Sequence, residues 1–181
     1  MRLFTGLDLS APAAAGLADL IARLKPHARI RWSRAENLHI TIQFIGEWPE
    51  DRLEELRRAL DTTVSPGPFS FTLKGLGWFP NPHSPRIFWL AVQPAAPLAA
   101  LAASTADVLE RLGIRRERRT YTPHITLARV EPGADLAALR RAVAQMPPVG
   151  AGVLEAAHFH LYESRPTPAG SVYTKLHSVK L

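Results

Sequence analysis

LHITIQF (residues 38–44) and PHITLAR (residues 123–129) carry the same His-Ile-Thr triplet, 85 positions apart, in a chain with seven histidines. In each place a polar turn and an amphipathic helix follow: HITIQFIGEWPEDRLEELRRAL against HITLARVEPGADLAALRRAV. A likeness that runs past the motif into the helix behind it marks a diverged internal duplication. Two copies of such a unit predict an α+β fold, bilobal and pseudo-twofold, with two antiparallel sheets lining a central cleft and helices on the outer faces. The 181 residues are enough for one substantial core and too few for two ordinary independent domains. Residues 1–181 are therefore expected to form a single domain of two intertwined lobes, each carrying one His-x-Thr motif.

Working outward from the motifs, the patterning predicts strands at 2–9, 38–45, 69–77, 86–93, 123–130, 153–163 and 171–180. Helices are predicted at 11–25, 50–63, 97–112 and 135–145. In EDRLEELRRAL, Leu53, Leu56 and Leu60 make one apolar stripe between charges. The helix at 97–112 starts at Pro97 and stops before Gly113, the usual asymmetry of helix ends. Strands rest on alternation and on β-branched or aromatic content, as in IFWLAV and SVYTKLHSVKL. The prolines of WFPNPHSPR (78–86) place a hairpin connection there.

Composition removes several classes of function. With no cysteine there is no disulfide framework, thiol nucleophile or Cys-based zinc site. No stretch approaches the roughly 18–20 apolar residues of a bilayer span, and Asp8 interrupts the apolar opening MRLFTGLDLS, so a strand is read there and a cytoplasmic location is expected. Twenty-two Lys+Arg against 16 Asp+Glu give +6, much of it in RIRWSR (29–34) and RRERR (115–119), a balance that favours polyanionic partners.

In a strand, residues i and i+2 share a face. His39 projects with Thr41, and His124 with Thr126, while Ile40, Ile42, Phe44, Ile125 and Leu127 are expected to turn toward the helices. Pseudo-symmetry brings the two pairs face to face across the cleft. Two opposed histidines suit a displacement at phosphorus, in which one group removes a proton from the nucleophile and another supplies one to the leaving oxygen. An unperturbed pKa of about 6.5 lets one ring be neutral and the other protonated near neutral pH. Threonine hydroxyls can donate to the non-bridging oxygens, where charge develops. The scheme needs no metal, and His-x-Thr offers one nitrogen ligand per motif where a zinc site wants three protein ligands.

These paired motifs, with RWSRAENLHITIQFIGE, GLGWFPNPHSPRIFWLAV, YTPHITLARV and LYESRPTPAGSVYTKL around them, resemble the two-histidine (2H) phosphoesterase superfamily. More narrowly, the chain resembles its RNA 2',3'-cyclic phosphodiesterase branch, historically called 2'-5' RNA ligase, over nearly its whole length. The resemblance implies metal-independent hydrolysis of an RNA terminal 2',3'-cyclic phosphate to a 2'-phosphate. It makes His39 and His124 the catalytic pair and Thr41, Thr126 and Arg129 the phosphate-binding residues. No cofactor is implied, the partners are RNA ends and nucleotides, and a monomer away from membranes is expected. Strand parity disagrees on one point: Arg129 should face away from His124 and Thr126 unless a bulge or the strand end re-aims it.

Other candidates carry two readings each. Gln43 shares the predicted face of His39 and Thr41 and is either a substrate contact or an ordinary strand residue. Tyr121 stacks on a nucleobase or packs at the core or rim. Trp32 guides an RNA strand or packs a lobe edge. His158 and His160 form an HxH on one strand face, but without a third spaced ligand no metal is expected. Rival functions are a non-catalytic RNA-binding module, which has no use for paired His-x-Thr, a reversible 2'-5' ligase acting on tRNA halves, and a phosphodiesterase for cyclic nucleotides or 2'-5' oligonucleotides.

Overall fold

The computed structural model describes residues 1–168 and 170–181. Strands β1 (Arg2–Asp8), β2 (Arg31–Trp32), β3 (His39–Glu47), β4 (Phe69–Phe79), β5 (Ile87–Gln93), β6 (His124–Arg129), β7 (Gly150–Ala156), β8 (His158–Thr167) and β9 (Gly170–Lys180) are joined with helices α1 (Ala11–Leu24), between β1 and β2, α2 (Leu53–Leu60), between β3 and β4, α3 (Ala96–Arg111), between β5 and β6, and α4 (Ala137–Gln145), between β6 and β7. The spatial order of the strands is β7-β4-β5-β6-β3-β1-β8-β9, with β2 paired to β6. Every pairing among the described residues is antiparallel.

The order divides into two half-sheets, β3-β1-β8-β9 and β6-β5-β4-β7, each with a His-x-Thr strand at its inner edge. Among the described residues β3 and β6 pair at Ile40 opposite Ile125, so the two antiparallel sheets run on as a single sheet. On the face that helices cover, Ile40, Ile42, Leu90, Phe88, Ile125 and Leu127 are buried. α3 packs on β3, and α1 packs on β7 and α4, so helices lie over both half-sheets. The Ser10 hydroxyl caps the start of α1 by accepting from Ala13 N, and Pro12 occupies its first turn.

One predicted element is corrected. The expected strand at 153–163 is two strands that separate at Ala157: β7 pairs with β4 at one edge of the sheet, and β8 pairs with β1 in the other half. The alternation in VLEAAHFHLYES runs through Ala157 without glycine or proline. A change of partner leaves no mark on such a pattern, because periodicity reports faces and not neighbours.

Bulges decide what faces the cleft. In the β1–β3 pair, Thr5 lies opposite Gln43 and Gly6 opposite Thr41, which leaves Ile42 as an extra residue. In the β5–β6 pair, Phe88 lies opposite Ala128 and Trp89 opposite Thr126, which leaves Leu127 extra. A bulge puts two successive side chains on one side and inverts the parity beyond them. Both insertions fall directly after the motif threonine, at equivalent places in the two halves. Phe44, expected toward the helices, is therefore 67% exposed; it lies opposite Phe4, with ring centroids 6.3 Å apart.

Candidate active site

His39 and His124 open β3 and β6, where the strands enter the join between the half-sheets. Each ring is held by the backbone carbonyl two residues earlier: His39 Nδ1 lies 2.7 Å from Asn37 O, and His124 Nδ1 lies 2.7 Å from Thr122 O. A carbonyl oxygen only accepts, so both Nδ1 atoms carry a proton and neither Nε2 is taken up by the backbone anchor. His39 Nε2 lies 3.0 Å from Thr41 Oγ1. A neutral ring accepts a hydrogen bond from that hydroxyl; a protonated ring donates one instead and frees the hydroxyl to donate elsewhere.

Aromatic rings surround both imidazoles. Phe4 lies 4.8 Å and Tyr173 5.2 Å from His39 between centroids, the latter perpendicular to it. Phe79 meets His124 edge-on at 5.0 Å, and Trp89 lies 6.2 Å from it. Burial is the main influence on both rings and holds each below the ordinary histidine value. At His39 the Asn37 carbonyl opposes burial; the charge of His124 presses the ring down, Asp8 raises it and Arg129 presses it down. At His124 the Thr122 carbonyl opposes burial and Arg129 adds to it. Arg129 thus presses on both rings.

Arg129 is brought to the cleft by the bulge at Leu127. It lies opposite Ile87, which shares a face of β5 with Trp89, the residue opposite Thr126. The parity that turned it away holds only for an unbroken strand. By the same inversion Phe44 occupies in the first half the place that Arg129 takes in the second, five residues after the motif histidine.

Gln43 is not part of the cleft. The bulge at Ile42 turns it toward the helices, where Nε2 donates to the Ala102 carbonyl of α3 at 3.0 Å and its backbone N–H donates to Thr5 Oγ1 at 3.1 Å. Tyr121 does not present its hydroxyl to a ligand either: it donates to the Thr41 carbonyl at 2.8 Å. Burial holds that phenol well above its usual range, so it remains a donor. Trp32 packs edge-on against Phe88 on the helix side and donates to Ala28 O.

His158 and His160 face the same side of β8. His160 Nδ1 lies 2.9 Å from Ser178 Oγ, and its Nε2 lies 3.4 Å from Asp8. Asp8 also receives Lys175 Nζ at 2.5 Å and the Tyr162 hydroxyl. Among the described residues no group of three or more His, Cys, Asp or Glu is arranged to hold a metal ion. In the arginine clusters, Arg31, Arg34, Arg116 and Arg119 are each paired with a carboxylate. Among the described residues no helix is long and apolar enough to cross a membrane.

Sequence reasoning missed the aromatic surround and the two carbonyl anchors. One signal was present for part of it: Gly6 and Gly77 stand inside strands, where glycine marks a close approach. A Cβ on Gly77 would lie 2.3 Å from the Trp89 ring, and one on Gly6 would lie 2.8 Å from Ile40 O.

The family described as LigT like Phosphoesterase matches the sequence twice, over residues 7–89 and over residues 90–173. Each half of the duplication thus carries one match. A protein of Archaeoglobus fulgidus named RNA 2',3'-cyclic phosphodiesterase is 32% identical over 177 residues, which cover 97% of this chain and 98% of the relative. The crystal structure of a protein from Thermus thermophilus aligns with a TM-score of 0.82 at 29% identity, over 100% of this chain and 98% of its own. E. coli LigT complexed with 3'-AMP gives a TM-score of 0.82 at 29% identity, over 99% of this chain and 97% of its own.

Proposed function

The chain belongs to the LigT-like phosphoesterase family, and from that premise we propose that it hydrolyses the 2',3'-cyclic phosphate at an RNA end to a 2'-phosphate, with His39 and His124 as acid and base. The observation that carries the proposal is the pair of imidazoles on equivalent strands at the join of the half-sheets, each anchored through Nδ1. The name of the Archaeoglobus relative and the nucleotide in the LigT complex support a nucleoside phosphate as the ligand.

In the reaction a water oxygen bonds to phosphorus in line with the bond from phosphorus to the 3' oxygen, which breaks. Nε2 of one histidine takes a proton from the water, and Nε2–H of the other gives one to the 3' oxygen. Arg129 and the hydroxyls of Thr41 and Thr126 hold the non-bridging oxygens as charge builds on them. Because burial holds both rings below the ordinary histidine value, the phosphodiester's own charge is what favours protonating one of them. One neutral and one protonated ring is the working state, so the rate falls on both sides of an optimum. The two half-sheets act as one domain, since each supplies one histidine.

The test is hydrolysis of a short RNA ending in a 2',3'-cyclic phosphate, with chelator present, by wild type, His39→Ala and His124→Ala. The expected product is a 2'-phosphate, formed by wild type and lost in both variants. A 3'-phosphate product, or full activity in either alanine variant, refutes the scheme. RNA that binds all three proteins and is cut by none points to a binding module instead.

A further inference from the structure

The segment leading into each motif grips the other motif. Ser33, six residues before His39, donates its hydroxyl to the Thr126 carbonyl at 2.7 Å. Its backbone N–H donates to the Leu127 carbonyl at 2.8 Å. Tyr121, three residues before His124, donates its hydroxyl to the Thr41 carbonyl at 2.8 Å. The two acceptors are equivalent. Each is the carbonyl of the motif threonine, at the point where a bulge interrupts the ladder with the neighbouring strand.

The join between the half-sheets needs such support. Among the described residues β3 and β6 pair directly at Ile40 and Ile125 alone, and a single pair restrains sliding and hinging weakly. The histidines sit one residue from that pair, so any hinge there changes their separation. The pairing of Arg31 with Arg129 and Trp32 with Ala128 carries the first approach segment along β6 to Ser33. At its far end Asn37 holds His39 Nδ1 through its carbonyl and donates Nδ2 to Ser171 O at 2.7 Å. One short stretch therefore spans from the Thr126 backbone to the His39 ring.

We infer that Ser33 and Tyr121 are reciprocal positioning residues, whose hydroxyls set the spacing of the two His-x-Thr motifs by holding the bulged threonine backbone of the opposite half. Neither touches the reacting atoms. Tyr121→Phe removes one oxygen and keeps the ring, Ser33→Ala removes the other hydroxyl, and Ser33→Thr keeps it.

The inference rests on the proposed hydrolysis for its kinetic readout. With a nucleoside 2',3'-cyclic phosphate, at a temperature well below unfolding, Tyr121→Phe and Ser33→Ala are each expected to lower kcat about tenfold, as a shift of a fraction of an ångström between catalytic groups does. KM stays close to wild type, and Ser33→Thr recovers most of the loss. Wild-type kcat in both variants overturns the inference, even where the melting temperature falls, because the hydroxyls then only stabilise. A rise in KM with kcat unchanged overturns it equally. If wild type cleaves no cyclic phosphate, the proposed function fails by itself, and the positioning is judged from the imidazole 15N signals of His39 and His124. Displaced signals in the variants support it, and unchanged signals sink it.

Discussion

Gly6→Ala tests a close backbone approach beneath the candidate site. A Cβ built on Gly6 lies 2.8 Å from the Ile40 carbonyl oxygen and 3.5 Å from His39 Cδ2. Ordinary C···O contacts begin at about 3.3 Å, so the β1 and β3 backbones must part by about half an ångström. Ile40 stands between His39 and Thr41, and the displacement is handed to both. Overpacking of this kind costs about 1–3 kcal/mol, and in a chain of this size each kcal/mol lowers the melting temperature by roughly 2–4 °C. Since a misplacement of about 1 Å costs about a hundredfold in rate, half of it predicts about a tenfold fall in kcat. The assay is steady-state hydrolysis of a nucleoside 2',3'-cyclic phosphate beside thermal denaturation. Gly16→Ala is the control: its Cβ meets nothing within 4 Å, and an exposed helix position gains up to about 1 kcal/mol from the change. A Gly6→Ala enzyme with wild-type kcat and melting temperature would refute the reasoning, because the two strands would then have room that the structure denies them.

Arg129→Ala is expected to raise KM and lower kcat together, by about a hundredfold in kcat/KM, as loss of a charge-assisted phosphate contact does. Arg129→Lys recovers only part, because one ammonium cannot replace a planar fork; full activity in the alanine variant would remove Arg129 from the site. His39 and His124 both lie below their unfolded values in the fold, so their contribution to stability is complete above the unfolded pKa and is lost as pH falls through the folded one. The melting temperature should therefore drop on acidification below about pH 6.5, each ring contributing at most about 1.4 kcal/mol per pH unit, and inorganic phosphate should offset the drop by binding the protonated rings. A melting temperature that stays flat from pH 8 to 5 would contradict this. Asn37→Ala cuts the tie to Ser171 O and loosens the carbonyl that accepts His39 Nδ1; one limb of the pH–rate profile should move to lower pH while the other stays. Movement of neither limb would show that the anchor does not depend on that tie.

By itself the sequence determined the duplication, the fold class and the identity of the four motif residues. His39 with Thr41 and His124 with Thr126 were legible because i, i+2 spacing in a strand is a local property, and because a repeated motif is visible without knowing what surrounds it. Local pattern failed wherever the answer lay in a neighbour. Arg129 and Gln43 traded faces, against parity, because one extra residue follows each motif threonine. A bulge depends on which strand lies alongside, as β1 lies beside β3 and β5 beside β6. Tyr121 was legible as an aromatic near the motif, yet its hydroxyl belongs to the Thr41 carbonyl 80 residues away. The strand that separates at Ala157 shows the same limit, since alternation says which face a side chain takes but is silent on which strand it faces. Tertiary structure alone decided how far apart the two histidines stand and what shifts them, because packing against rings such as Phe4 and Phe79, and the field of an arginine from the opposite half, exist only after the halves have closed on each other.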